Sequence, residues 1–146
     1  MEIRHEMVVG VHLILRDQDK VLLARRCNTG YGDGQYNFPC GHLDPNENIK
    51  PALSREAQEE IGININPDHL NFIGATHWVS NKQSVNFFFE CSEWEGDISN
   101  GEPHKCDDID WFTLEELPDQ LIEQTSAVLK ALQSPSFPFF IEINDM

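Results

Sequence analysis

The sequence has no apolar run near the 18 or so residues that cross a bilayer. Its start, MEIRHEMVVG, lacks the basic-then-apolar layout of a leader. A soluble, cytoplasmic protein without a membrane partner is expected. Cysteine is sparse: Cys27, Cys40, Cys91 and Cys106 stand far apart, with no C-x-x-C pair and no zinc-ligand spacing. Reduced, structural thiols are the reading for such a cytosolic chain. Positive charge is scarce as well. Against 25 Asp and Glu there are 10 Lys and Arg, a formal net charge of −15. That balance argues against a nucleic-acid backbone or an anionic membrane as partner. A small anionic ligand stays open only if cations bridge it to the protein. Internal repeats, linkers and low-complexity tracts are absent too.

What is present suits one globular domain over residues 1–146, with 40% hydrophobic residues and nine phenylalanines to fill a core. MVVGVHLIL (7–15) and VLLARR (21–26), joined by DQDK, read as adjacent strands. CNTGYGDGQYN (27–37) is a glycine-rich loop, and Pro39 keeps Phe38 extended. Residues 48–61 read as a helix, with Asn48 as N-cap, Pro51 in the first turn and Gly62 at the stop. Residues 69–80 and 84–94 look like paired strands joined by NKQ. A polar loop over 95–108, a short strand IDWF and an amphipathic helix over 120–133 follow. The tail, SPSFPFFIEINDM, is either a last strand or an apolar patch covered by a second copy in a homodimer. Strands flanking two helices give the α/β (α+β) class.

One stretch, GHLDPNENIKPALSREAQEEIG (41–62), holds unusual chemistry. On a helical wheel Leu53, Ala57 and Ile61 fall at i, i+4, i+8 and form the buried stripe. Glu56, Glu59 and Glu60 fall beside it at i, i+3, i+4, where like charges repel. Three carboxylates next to a core stripe suit a hard cation, Mg²⁺ or Mn²⁺. The plainer alternative is a solvated acidic face on which Arg55 and Glu59 make an i, i+4 pair.

The surroundings of those glutamates narrow the choice. Gly41, Glu47 and the run Arg55-Glu56-Ala57-Gln58-Glu59-Glu60-Ile61-Gly62-Ile63 fit G-x5-E-x7-R-E-U-x-E-E-x-G-U at every fixed position, with Ala57 a small residue at the first U. This span, 41–63, resembles the Nudix box, and the chain is identified as a member of that family of phosphoanhydride hydrolases. The resemblance implies an α/β/α sandwich around a mixed sheet, with the box as loop–helix–loop. It further implies that Glu56, Glu59 and Glu60 bind divalent cations with help from the Gly41 carbonyl. Arg55 would orient the glutamates, and Glu47 would support the loop or reach the metal through water. The attacking group would be water, with a glutamate as general base.

Beyond the box the chain resembles MutT-type nucleoside triphosphate pyrophosphohydrolases, which release a monophosphate and pyrophosphate. That likeness places Arg26 where a phosphate-contacting arginine lies, the alternative being a solvated strand end. Glu102, after Trp94-Glu95-Gly96, falls where a further metal-linked or basic glutamate sits; Asp107, Asp108 and Asp110 are other suppliers. Position 40 is Cys where the family most often has glycine, and His42 either touches phosphate or faces water. Trp78, Phe87, Phe88, Phe89 and Trp111 are candidates to stack on a base or to fill the core. Pyrophosphatases for ADP-ribose, nucleotide sugars or dinucleoside polyphosphates are the alternative, but THWVSNKQ lacks the proline or tyrosine those groups tend to carry after the box. An isopentenyl-diphosphate-isomerase-like use of Cys40 and a non-catalytic nucleotide-binding module complete the rival readings.

Overall fold

The computed structural model describes residues 3–134 and 136–145. The chain runs β1 (Val8–Asp17), β2 (Lys20–Arg26), β3 (Tyr36–Asn37), β4 (Cys40–His42), α1 (Ile49–Ile61), β5 (Asn71–Val79), β6 (Gln83–Cys91), β7 (Cys106–Thr113), α2 (Glu123–Gln133) and β8 (Phe139–Asn144). The sheet is mixed. Strand β1 lies parallel to β6, from Val8 opposite Ser84 to Leu15 opposite Cys91, and β5 lies parallel to β8. The pairs β5–β6, β1–β4 and β1–β2 are antiparallel, as are β2–β3 and β2–β7.

Alternation along β1 decides the layers. Val11, Leu13 and Leu15 enter one core with Ala52, Leu53, Ala57 and Ile61 of α1. Ile14 enters the other with Val128, Leu129 and Leu132 of α2, beside Val21, Leu23, Phe88 and Phe139. The result is the expected α/β/α sandwich. Burial of each large aliphatic side chain contributes roughly 1.5–3 kcal/mol before chain entropy is subtracted. Helix α1 stops at Gly62, whose φ of 74° is left-handed and lets its N–H reach Gln58 O. Asn48 stands at the N-cap without a side-chain hydrogen bond, so the cap is one of position only.

Several boundaries differ from the sequence expectation for local reasons. The strand expected from residue 69 begins at Asn71, because Pro67–His69 form a 3-10 turn capped by Asn66, which accepts the Asp68 N–H at 3.0 Å. Its partner ends at Cys91 rather than at 94. Strand β7 starts at Cys106, three residues inside the expected polar loop, because Cys106 pairs with Arg26 of β2 and the bulged Asp107 reaches the Arg25 side chain at 2.7 Å. Helix α2 starts at Glu123 instead of 120: Tyr36 donates to Gln120 O at 2.8 Å and Ile122 donates to Tyr36 O at 3.1 Å, holding that segment extended. The tail forms β8, an edge strand with Phe140 66% exposed. No helix among the described residues is long and apolar enough to cross a membrane.

Candidate functional site

Edge strand β4 organises the site. Gly41 lies opposite Val11 of the α1-side core, while Cys40 and His42 lie opposite His12 and Gly10 on the other face. The Glu56 carboxylate rests directly on Gly41: a Cβ there would sit 2.2 Å from Glu56 Cδ and Oε1. Only glycine permits this approach without moving the acid.

The three box glutamates do not share one environment. Glu56 has a side chain 15% exposed, whereas Glu59 is 54% exposed. Glu60 turns inward, and its Oε2 is buried with no hydrogen-bond partner. Burial pushes the Glu60 carboxyl up to about 9, and the charges of Glu56 and Glu102 add to the rise, while the Cys40 N–H opposes it. Glu56 is raised too, first by burial and against the pull of Arg55.

Arg55 is the hub of the cluster. It grips Glu47 with two bonds of 2.7 and 2.9 Å, and reaches Glu56 at 3.0 Å, Glu59 at 3.3 Å and Asp44 at 3.4 Å. Glu47 also accepts the Asp44 N–H at 3.0 Å, and the Arg55 guanidinium holds its carboxyl down at about 2. Both Glu47 oxygens are therefore engaged, one by Arg55 alone and one by Arg55 and the Asp44 N–H. Among the described residues no three His, Cys, Asp or Glu side chains converge on one point, because Arg55 holds Glu56 and Glu59. The donor set nevertheless fits a hard divalent cation. Four carboxylates gather around one arginine, one buried oxygen lacks any partner, and Glu56 lies directly on Gly41.

Glu102 joins the cluster from the loop before β7, half-buried, close enough for its charge to act on both Glu56 and Glu60. The rival carboxylates do not. Asp107 is paired with Arg25, Asp108 accepts the Tyr36 hydroxyl, and Asp110 accepts the Trp111 N–H at 2.8 Å. Arg26 lies near Cys40 and donates to Tyr31 O at 2.8 Å and Thr29 Oγ1 at 3.1 Å. Among the described residues it meets no carboxylate within ion-pair distance, although the chain carries 25 acidic residues. His42 is exposed at the end of β4. The Cys40 thiol is pushed up to about 12, mainly by burial and then by Glu60, which counts against the isomerase-like role.

The sequence reading missed a polar row on the far face of the sheet. His12 Nε2 lies 2.9 Å from Asn86 Oδ1, and Asn86 Nδ2 donates to Ser84 Oγ at 3.0 Å. Gly10 makes room, since a Cβ there would fall 2.2 Å from Asn86 Oδ1. Thr76 bonds Gln124 from α2. His12 Nδ1 and Trp78 Nε1 on this face are buried without partners. Of the aromatic candidates, Phe88 and Phe89 belong to the cores and Trp111 stacks on Trp94 at 6.0 Å. The visible signal was the alternation of polar residues with apolar ones in VGVH and SVNF, which only a strand register turns into a row.

Residues 4–132 match the family model described as NUDIX domain. The chain is 29% identical over 100 residues to a protein of Stutzerimonas stutzeri named NAD-capped RNA hydrolase NudC, covering 68% of this chain and 34% of that one. It therefore spans about a third of that relative's length. It is 28% identical over 96 residues to the 8-oxo-dGTP diphosphatase of Proteus vulgaris, 66% of this chain and 85% of that protein. In fold it resembles the MutT Nudix hydrolase of Burkholderia pseudomallei, with a TM-score of 0.80 at 22% identity over 86% of this chain and 98% of the other. With its box intact and folded as described, the chain belongs to the Nudix family.

Proposed function

We propose that this protein, acting as one Nudix domain over residues 1–146, hydrolyses a nucleoside or deoxynucleoside triphosphate to its monophosphate and pyrophosphate with Mg²⁺, Mn²⁺ being able to substitute. The observation that carries the reading is the buried, unpartnered Glu60 Oε2 beside Glu56 on Gly41. An acid held in that state stabilises nothing by itself, and it suits a site completed by a cation.

Glu56, Glu59 and Glu60, with Glu102 and the Gly41 carbonyl, would hold the metal, and Glu47 would hold Arg55. When bound, the cation neutralises the polyphosphate and lowers the pKa of a water. The chain's own residues do the rest. Arg55 keeps Glu56 and Glu59 oriented through its fork of hydrogen bonds. Arg26, free of carboxylates, offers its guanidinium to phosphate, and exposed His42 stands at the mouth. A glutamate takes the proton of the attacking water. On the far face, His12, Asn86 and Trp78 offer unpaired and amide groups suited to the edge of a heteroaromatic base. The charge of −15 and the absence of a spanning helix among the described residues support a cytoplasmic enzyme of small nucleotides. The exposed Phe140 on edge strand β8 supports testing for a homodimer by light scattering.

A second reading, cleavage of an ADP-ribose-type, nucleotide-sugar, dinucleotide or capped-RNA diphosphate, is favoured by the likeness to the NAD-capped RNA hydrolase. A Mg²⁺-dependent panel separates the two, with Glu59→Gln as blank and products resolved. Common and oxidised triphosphates should yield pyrophosphate. Turnover only of dinucleotides, sugars or capped RNA would replace the triphosphate reading with the second one, and silence throughout would leave a nucleotide-binding module.

A further inference from the structure

Glu102 sits on an irregular loop, yet its backbone is tied on every side. Its N–H donates to Asn100 Oδ1 at 3.0 Å, and its carbonyl accepts the N–H groups of Lys105 and Cys106 at 2.9 and 3.0 Å. Asn100 Nδ2 in turn donates to Cys106 O at 2.7 Å, so one side chain spans the loop. The residue before Glu102 is fixed to the helix: Gly101 N–H donates to Glu60 O at 2.9 Å, and Ser99 N–H donates to Ile61 O at 2.9 Å. Those carbonyls are among the last of α1, which have no partner within the helix. The approach is so close that a Cβ on Gly101 would lie 2.1 Å from Glu59 O, a backbone atom that cannot turn aside.

The outcome is electrostatically uphill. The loop brings a carboxylate to the negative end of a helix dipole and beside two other carboxylates. An untethered acidic loop would swing into water. Satisfying the last carbonyls of α1 accounts for the loop's attachment but not for an acidic residue beside two others, whereas a site that gathers negative charge for a cation does.

We propose that Asn100 and Gly101 are positioning residues for the reaction: they clamp the Glu102 loop to the C-terminal end of α1 so that the Glu102 carboxylate faces Glu56 and Glu60. The proposal rests on the metal-dependent hydrolase reading above. It concerns neither residue's contact with substrate, since both act through Glu102.

The test is a double-mutant cycle on the full chain with nucleoside triphosphate and saturating Mg²⁺. Asn100→Ala and Gly101→Ala should each lower kcat, on the order of tenfold to a hundredfold, with KM near wild type. Neither should lower kcat further in a Glu102→Gln background. In metal-free protein, amide exchange at Gly101 and Glu102 should quicken on the order of tenfold in Asn100→Ala, while the α1 interior is unchanged. Asn100→Ala adds no atoms and keeps the test alive if Gly101→Ala does not fold. Unchanged kcat in Asn100→Ala, losses that add to that of Glu102→Gln, or unchanged amide exchange would each overturn the clamp. A wild-type protein without metal-dependent turnover would instead remove the hydrolase reading, and the exchange measurement would still judge the clamp.

Discussion

The two faces of the sheet handle buried polarity in opposite ways. On the α2 face the groups are neutral: Thr125 Oγ1 donates to Asn37 Oδ1 at 2.6 Å, which also accepts the Phe38 N–H at 2.8 Å, and the two groups left without partners, His12 Nδ1 and Trp78 Nε1, belong to uncharged rings. On the α1 face they are charged, crowded and short of partners, with one arginine shared among Asp44, Glu47, Glu56 and Glu59. Neutral networks that close on themselves hold a fold together. Charge that is left uncompensated marks the place where a ligand is expected to complete it. The difference teaches where stability and chemistry are separable in this chain.

The sharpest way to break that contrast is Glu60→Gln. It removes a buried carboxylate without changing shape. Metal-dependent turnover should fall by a factor on the order of a hundred to a thousand. Thermal stability in EDTA should hold or rise, because a neutral amide replaces an unpartnered acid. Wild-type turnover in both this variant and Glu59→Gln would sink the assignment of the cluster to metal.

A smaller effect should appear in the pH dependence of stability, with opposite signs on the two faces. Burial depresses His12 on the α2 face to about 4, below its ordinary 6.5, against the pull of Asn86. Between those values the unfolded chain binds more protons than the folded one, so stability falls as pH falls from 6.5 toward 4. The loss amounts to order 1–3 kcal/mol at most. Glu60 is raised from 4.5 to about 9, so in metal-free protein its contribution is lost as pH rises through that range. Urea unfolding in EDTA should show His12→Gln flattening the acid side and Glu60→Gln the alkaline side. If either variant keeps the wild-type slope, that face does not behave as described.

Much of this was legible in the residues themselves. The box, the stripe of Leu53, Ala57 and Ile61, the stop at Gly62 and the hairpin between β5 and β6, whose turn falls one residue earlier than NKQ because Gln83 pairs with Val79, all depend on local spacing, which a sequence displays directly. The wheel did not reveal that Glu60 turns to the sheet while Glu59 faces Arg55 and water, because neighbouring positions on one face differ only in what packs against them. Cys106 joining a strand and Tyr36 delaying α2 are each set by partners about 80 or more residues away. Glu102 was placed by resemblance, while the clamp of Asn100 and Gly101 depends on atoms of α1 and β7 that no local pattern contains.

Cys40 gives the smallest expected effect and tests the boundary between the two faces. It sits on β4 between the carboxylates and the polar row, near enough to Glu60 for the acid to raise it and near enough to Asn37 to accept its Nδ2 at 3.5 Å. A thiol held up at about 12 stays protonated at neutral pH and is a poor nucleophile. Its loss should therefore register as a small packing change. Cys40→Ala is expected to keep turnover within about threefold of wild type and to lose roughly 1 kcal/mol of stability. Steady-state rates beside urea unfolding check both numbers. A folded but inactive Cys40→Ala protein would mean that the thiol takes part in the reaction, and the division of labour between the faces would have to be redrawn with β4 inside the chemistry.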